Sequence, residues 1–250
     1  MDEQRIIIFS CGYNCEKYVE QCLSSVKNQD YFNYVHVIVD DASTDKTYKR
    51  LNHFDYTDRK IKLYHNVYNQ KWILNAIECL MPNIQSPDDI IMTVDLDDYL
   101  AHNNVLKNIN TFYKNYDAWM TYSTFKYLKS GRLSSWIPRY SPGQMSNNEF
   151  RESIWSFTHL RTMKAFLWNN IDKNDLKDSA GEYFKYCYDQ AVFLPALEMS
   201  RNGHIGYIPE VQYMYNDINP LQVEKTHRQE QEDTARFIRS KNKYQPLIRN

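Results

Sequence analysis

The 250-residue sequence contains no Cys-x-x-Cys pair. Its five cysteines, Cys11, Cys15, Cys22, Cys79 and Cys187, are odd in number and scattered, so neither a disulfide framework nor a zinc site is expected. No apolar run approaches the roughly 20 residues of a membrane helix. The charged start, MDEQRIIIF, lacks the apolar core of a signal peptide. These absences predict a reduced, soluble, cytoplasmic protein with no integral membrane segment, at most peripheral to a membrane. Charge of one sign is also lacking: 30 Lys and Arg face 31 Asp and Glu, a net charge of −1, which gives no general pull toward nucleic acid. Glycine is scarce, with 6 in all, and only Gly12 lies near the N-terminus.

What is present is enough apolar material, 42% of residues, for one large domain or a domain with an appended lobe. The 21 Tyr and 5 Trp suit sugar-stacking surfaces or ordinary core packing. The first half alternates short β-like runs with helical patterns. RIIIFS (Arg5 to Ser10) precedes EKYVEQCLSSVKNQ, where Val19, Cys22, Leu23 and Val26 recur at helical spacing. VHVIVD, the helix-like TDKTYKRLNHF, KIKLYH, the helix-like KWILNAIECLM and DIIMTVD continue the alternation. Strands separated by helices in this way predict an α/β fold with parallel βαβ units covered on both faces. Ligands of such sheets lie beyond the carboxyl ends of the strands.

Acids gather at those ends. Asp40 and Asp41 close one strand in VDDASTDKT, and Asp95, Asp97 and Asp98 close another in IIMTVDLDDYL. Ser43, Thr44 and Asp45 read as caps of the next helix, but Asp40 and Asp41 do not. A carboxylate at that edge can accept a hydrogen bond from the ring N–H of a nucleobase. Three crowded carboxylates repel one another unless something positive sits between them. The plain reading of the DLDD cluster is a solvated, capped turn; the sharper one is a hard divalent cation with a phosphate.

The second half is looser. NNVLKNINTFYKNY is helix-like and AWMTYSTF strand-like, and the Gly-, Pro- and Ser-bearing stretch Ser130 to Gln144 predicts a long loop of the kind used as a lid. WSFTHLRTMKAFLWNNI suggests a strand running into a helix. DQAVFLPALEMS is a helix with Pro195 a candidate kink, HIGYIP and VQYMYN are two short strands, and the charged tail is helical.

The ordered set IIIFSCGYNCEKYVEQCLSSVKNQ, VIVDDASTDKT and TVDLDDYL resembles the inverting glycosyltransferases of family 2, whose nucleotide-sugar-binding fold is called GT-A. The resemblance is strong over roughly the first 125 residues and weaker through SFTHLRTMKAFL and YDQAVFLPALEM. It implies a single Rossmann-like mixed sheet flanked by helices. Residues 1–125 would form the nucleotide-sugar-binding half, 126–218 the acceptor half and 219–250 a helical tail.

The implied chemistry is sugar transfer from a nucleoside-diphosphate sugar, with UDP favoured over GDP, to a hydroxyl of a glycan, glycolipid or protein-glycan. The family's DxD-like metal anchor maps onto Asp95, Asp97 and Asp98. Asp97 is the expected direct ligand of Mn²⁺ or Mg²⁺, and Asp95 lies nearer the ribose or the metal's water shell. The base-binding role falls to Asp41, with Ser10, Cys11 and Tyr13 as neighbours, while Asp40 is structural. Lys71 is a candidate phosphate contact, with a solvated lysine at least as good a reading; His227 is a candidate extra metal ligand, although a lone His on a charged helix is more often simply solvated.

Inversion also needs a general base, and Asp189 in CYDQAVFL occupies the family's place for it, a role compatible with capping its helix. Glu182 and Glu198 compete. Family members commonly carry Glu-Asp at this point, where this chain has Tyr188-Asp189. His159 and Arg161 are candidate contacts to diphosphate or acceptor. Two rivals are a sugar nucleotidyltransferase, against which the lack of a Gly-rich basic loop speaks, and a non-catalytic nucleotide-sugar-binding module.

Overall fold

The β-branched run after Arg5 forms strand β1 (Ile6–Gly12). Successive side chains of a strand point to opposite faces: Ile7 and Phe9 enter one apolar cluster, Ile6 and Ile8 the other. Strand β2 (Tyr34–Asp40) is buried along its whole length. The computed structural model describes residues 3–54, 56 and 60–249; Met1 and Asp2 of the charged opening and Asn250 of the tail lie outside them.

Helix α1 (Val19–Lys27) follows β1 and buries Val19, Cys22, Leu23 and Val26, the stripe its periodicity predicts. After β2 come α2 (Thr47–His53), β3 (Ile61–His65), α3 (Lys71–Asn75) and β4 (Ile90–Thr93). A wider π turn (Ala76–Leu80) and a tight turn (Met81–Asn83) extend α3. Strand β1 runs parallel to β2 and β4, and β2 to β3. All four therefore deliver their carboxyl ends to one edge.

The remaining elements are β5 (Tyr99–Leu100), α4 (Val105–Asn115), β6 (Met120–Tyr127), α5 (Pro142–Ser146), β7 (Arg161–Lys164), α6 (Ala165–Asn170), α7 (Tyr188–Ser200), β8 (Ile205–Tyr215), α8 (Val223–Thr226) and α9 (Arg228–Ser240). The eight strands form one sheet in the order β3-β2-β1-β4-β7-β6-β8-β5. Because β7 is antiparallel to β4 and β6, and β5 to β8, the sheet is mixed. HIGYIP and VQYMYN are not two strands but the single β8, paired with β6 from Met120 to Tyr127. The apparent break is a bulge: Ser123 faces Ile208 and Thr124 faces Val211, so Pro209 and Glu210 are passed over. Proline has no N–H for the ladder, and a bulge is where a strand tolerates it.

Helices cover both faces. Leu51 of α2 and Val105, Leu106 and Ile109 of α4 join α1 on the Ile6 and Ile8 side. Trp72 and Ile73 of α3, Leu167 and Trp168 of α6, and Val192 and Phe193 of α7 pack on the other. Glu198, fully buried in α7, accepts hydrogen bonds from Arg151 Nε at 2.5 Å, Arg151 Nη2 at 2.9 Å and the Tyr244 N–H at 2.9 Å. Arg151 Nη1 also donates to the carbonyls of Ile238 and Lys241, which ties α9 and the tail to the core. Glu198 is thus a structural acid. The stretch Ser130 to Gln144 is anchored: Ser134 Oγ accepts from the Phe125 N–H at 2.8 Å, and the buried Tyr140 hydroxyl accepts from the Ser156 N–H. Among the described residues the five cysteines are free, and no helix is long and apolar enough to cross a membrane.

Candidate active site

At the carboxyl edge, Asp41 is the hub of the β2 side. Its backbone N–H donates to the Gly12 carbonyl. Its carboxylate accepts from Asn66 Nδ2 and the Gln70 N–H, each at 2.8 Å, and from the Lys71 N–H at 2.9 Å. One carboxylate therefore shapes the whole loop that starts α3. Lys71 sits there with φ +66°, a left-handed conformation that its bond to Asp41 helps hold. A carboxylate offers about four acceptor positions, so these three donors leave capacity for one more. Cys11 lies beside it and accepts from Asn75 Nδ2; burial, then the Asp41 charge, pushes its thiol pKa up. Tyr13 is exposed. Ser10 is fully buried, with its hydroxyl 2.8 Å from His36 Nε2, so its side chain faces the interior. Asp40 is also fully buried, bonded to His65 Nδ1 at 2.7 Å.

The predicted caps do not hold the N-cap of α2, which is Lys46 with no side-chain cap bond. Asp45 Oδ1 accepts from the Thr47 N–H at 2.8 Å, and Ser43 accepts from the Asn14 N–H and so fastens the β2 loop to the β1 loop.

The acid turn follows β4 and presses against Gly12. A Cβ at Gly12 would lie 2.7 Å from Leu96 Cβ, so only glycine lets the two loops approach this closely. The turn is held by residues from the far end of the chain. Asp98 Oδ1 accepts from the Asn216 N–H at 2.7 Å, Asp97 Oδ2 from Asn219 Nδ2 at 2.7 Å, and the Asp95 N–H donates to the Tyr213 hydroxyl at 3.1 Å. Burial and the neighbouring Asp97 charge raise the Asp95 pKa to about 6, opposed by Arg161 and the Tyr188 hydroxyl. Asp98 is pushed well above the usual carboxylate range by burial and by Asp97 and Asp95. Asp97 is raised by burial.

Among the described residues, Asp95, Asp98 and His159 each bring a ligand atom within 4.8 Å of the others. His159 Nδ1 is buried without a partner, and burial holds its imidazole pKa well below the ordinary value, so the ring stays neutral. Mutually repelling carboxylates beside a neutral imidazole are a donor set that suits a divalent cation. The predicted ligands are distributed differently. Asp97 lies on the same turn but outside this trio. His227 is exposed at the start of α9, where its ring stacks on Tyr186, and is not brought to the trio.

Asp189 lies in the first turn of α7, partly exposed, with Arg161 Nη2 3.5 Å from its carboxylate. It does not cap the helix: Cys187 holds the N-cap position in a left-handed conformation, and no side chain caps there. Tyr188 donates its hydroxyl to Asp95, at 3.0 Å from Oδ1, and its ring stacks on Trp72 at 4.3 Å. Arg161, buried on β7, also donates Nε to the Phe157 carbonyl. Glu182 is exposed. Tyr213, Asn216 and Asn219 were not legible as site residues. Their only signal was polar side chains closing the aromatic run VQYMYNDIN.

The strand order, the helices on both faces and the acid turn at the carboxyl edge define a GT-A, nucleotide-sugar-binding architecture. The model of the family described as Glycosyl transferase family 2 matches residues 7–175, and the chain belongs to that family. An "Uncharacterized glycosyltransferase" of Haemophilus influenzae is 24% identical over 242 residues, 95% of this chain and 72% of that protein. Residues 1–349 of S. aureus TarS, in complex with UDP-GlcNAc, share the fold with a TM-score of 0.65 at 17% identity, covering 86% of this chain and 59% of that one. The mannosyltransferase PcManGT from Pyrobaculum calidifontis, in complex with GDP-Man and Mn²⁺, gives 0.58 at 14% identity, covering 86% and 57%. The chain thus spans about three-fifths of each of these solved structures.

Proposed function

We propose that this protein is a metal-dependent inverting glycosyltransferase that moves a sugar from a UDP-sugar to a hydroxyl of a glycan, glycolipid or protein-glycan acceptor. In this reading residues 1–125 hold the donor, 126–218 the acceptor, and 219–250 form a tail. The observation that carries it is the bond between Tyr188 and Asp95. It ties the turn bearing Asp189 to the acid turn, which supports reading Asp189 as a base acting next to the leaving group.

Asp41 accepts the imide N–H of uracil with its remaining capacity, with Cys11, Tyr13 and the backbone at Ser10 as neighbours and Lys71 toward the phosphates. Guanine offers a comparable N–H, so the base preference rests on pocket shape; TarS is seen with UDP-GlcNAc and PcManGT with GDP-Man. Asp95, Asp97 and Asp98 form the edge that would hold Mn²⁺ or Mg²⁺. A divalent cation bound there supplies Lewis-acid stabilisation of the departing diphosphate. Arg161, between Asp95 and Asp189, adds a fixed positive charge where negative charge develops. Asp189 takes the proton of the acceptor hydroxyl as its oxygen bonds the anomeric carbon and the bond from that carbon to the diphosphate breaks.

The test is a panel of nucleotide-sugars incubated with the protein and Mn²⁺, Mg²⁺ or EDTA, with released nucleoside diphosphate assayed. Metal-dependent release from a UDP-sugar is expected. Release that ignores EDTA, or release only from GDP-sugars, would overturn the metal or the base assignment respectively.

A further inference from the structure

We infer that His159 is a nitrogen ligand of the cation held at the acid turn, so that the site is an Asp95–Asp98–His159 set rather than an all-carboxylate one. The inference rests on the metal-dependent reading above and deepens it.

His159 is 8% exposed, and its Nδ1 is buried with no hydrogen-bond partner. Buried polar atoms are nearly always partnered, and an exception calls for an ion or a water. The ring cannot turn freely: it lies flat on Tyr213, with centroids 4.8 Å apart and planes within 13°, and meets Phe125 edge-on at 5.9 Å. One of its two ring nitrogens and a carboxylate oxygen of each of Asp95 and Asp98 lie within 4.8 Å of one another. Donors around one hard cation are separated by up to roughly 4–5 Å, so the trio needs little closing.

Tyr213 ties two members of the set together. Its ring backs His159, and its hydroxyl receives the Asp95 N–H at 3.1 Å. Outer partners of this kind fix the direction of metal ligands. Asp97, bonded through Oδ2 to Asn219, is not among the three groups whose ligand atoms converge. Strand β7 pairs antiparallel with β4, Arg161 opposite Thr93, which is why His159, 64 positions from Asp95, reaches the turn after β4.

An imidazole in the set has a chemical consequence. Mg²⁺ favours oxygen ligands and retained waters, whereas Mn²⁺ and later first-row ions accept nitrogen more readily. The site therefore selects Mn²⁺ over Mg²⁺.

The experiment is electron spin resonance of the wild-type protein and His159→Gln, titrated with Mn²⁺ in the presence of UDP. Wild type should show ¹⁴N coupling to Mn²⁺, and His159→Gln should lose it. Mn²⁺ affinity should fall at least about tenfold, with a smaller change for Mg²⁺. Wild type binding Mn²⁺ and UDP without nitrogen coupling, or the variant binding Mn²⁺ as tightly as wild type, overturns the inference and leaves the donor reading standing. Wild type showing no Mn²⁺-dependent UDP binding overturns the donor reading itself. If the variant does not fold, the wild-type spectrum decides alone.

Discussion

Tyr188 and Asp95, 93 residues apart in the chain, are joined by the tyrosine hydroxyl, which lies 3.0 and 3.2 Å from the two carboxylate oxygens. The ring of the same tyrosine lies on Trp72, with planes within 9°. The start of α7, the start of α3 and the turn after β4 are thereby fastened together. The turn that carries Asp189 and the turn that carries Asp95 are tied to each other through this side chain.

Tyr188→Phe should keep the stack on Trp72 and lose the bond to Asp95. A hydrogen bond to an ionised group is worth about 1.5–3 kcal/mol, so kcat/KM should fall by roughly 10- to 100-fold. The thermal midpoint should stay near that of wild type. Unchanged kinetics would mean that the bond is incidental.

Asp189→Asn removes the proposed base while keeping its shape beside Arg161. Turnover should drop by roughly 10²- to 10⁴-fold, and UDP affinity should not move. Steady-state rates and calorimetry on the same preparation separate the two effects. Full turnover in this variant would transfer the role to another acid.

Glu198→Ala strands the buried Arg151 guanidinium. Breaking one side of a buried ion pair costs about 3–5 kcal/mol, so the urea midpoint should fall sharply. The tail should also be released, because Tyr244 loses its acceptor and Arg151 its anchor. Limited proteolysis near residues 241–249 reads that second effect.

His36 is fully buried, and burial lowers its pKa from 6.5 to about 3. The unfolded chain therefore binds a proton between those values that the folded chain does not. The histidine's contribution to stability is complete above pH 6.5 and declines as pH falls toward 3, by about 1.4 kcal/mol per unit at most. Urea denaturation at pH 7.5 and 5, for wild type and His36→Gln, should show a smaller acid loss in the variant. Equal losses would place the acid sensitivity elsewhere.

Strands β1, β2 and β4 were legible because parallel strands buried on both faces leave uninterrupted apolar runs, and the acids following them stand out by contrast. The start of α7 was legible too, although its cap was not: Cys187 adopts a left-handed conformation that no side-chain pattern announces. Strand β8 was misread at Pro209, since a local rule sees a strand-breaker where the sheet makes a bulge. Most hidden were the partners of the acid turn. Asn216 meets Asp98 across 118 residues, and no local periodicity encodes such a contact.

The most direct test of the donor site is calorimetry of UDP binding in Mn²⁺ and in EDTA, with wild type, Asp41→Ala and Asp95→Ala. UDP should bind wild type with Mn²⁺ present and lose most of its affinity in EDTA. Asp41→Ala should weaken binding with or without metal, and Asp95→Ala should abolish the gain that Mn²⁺ gives. UDP binding of equal strength in EDTA, or none with Mn²⁺, would contradict a metal-nucleotide site at this edge.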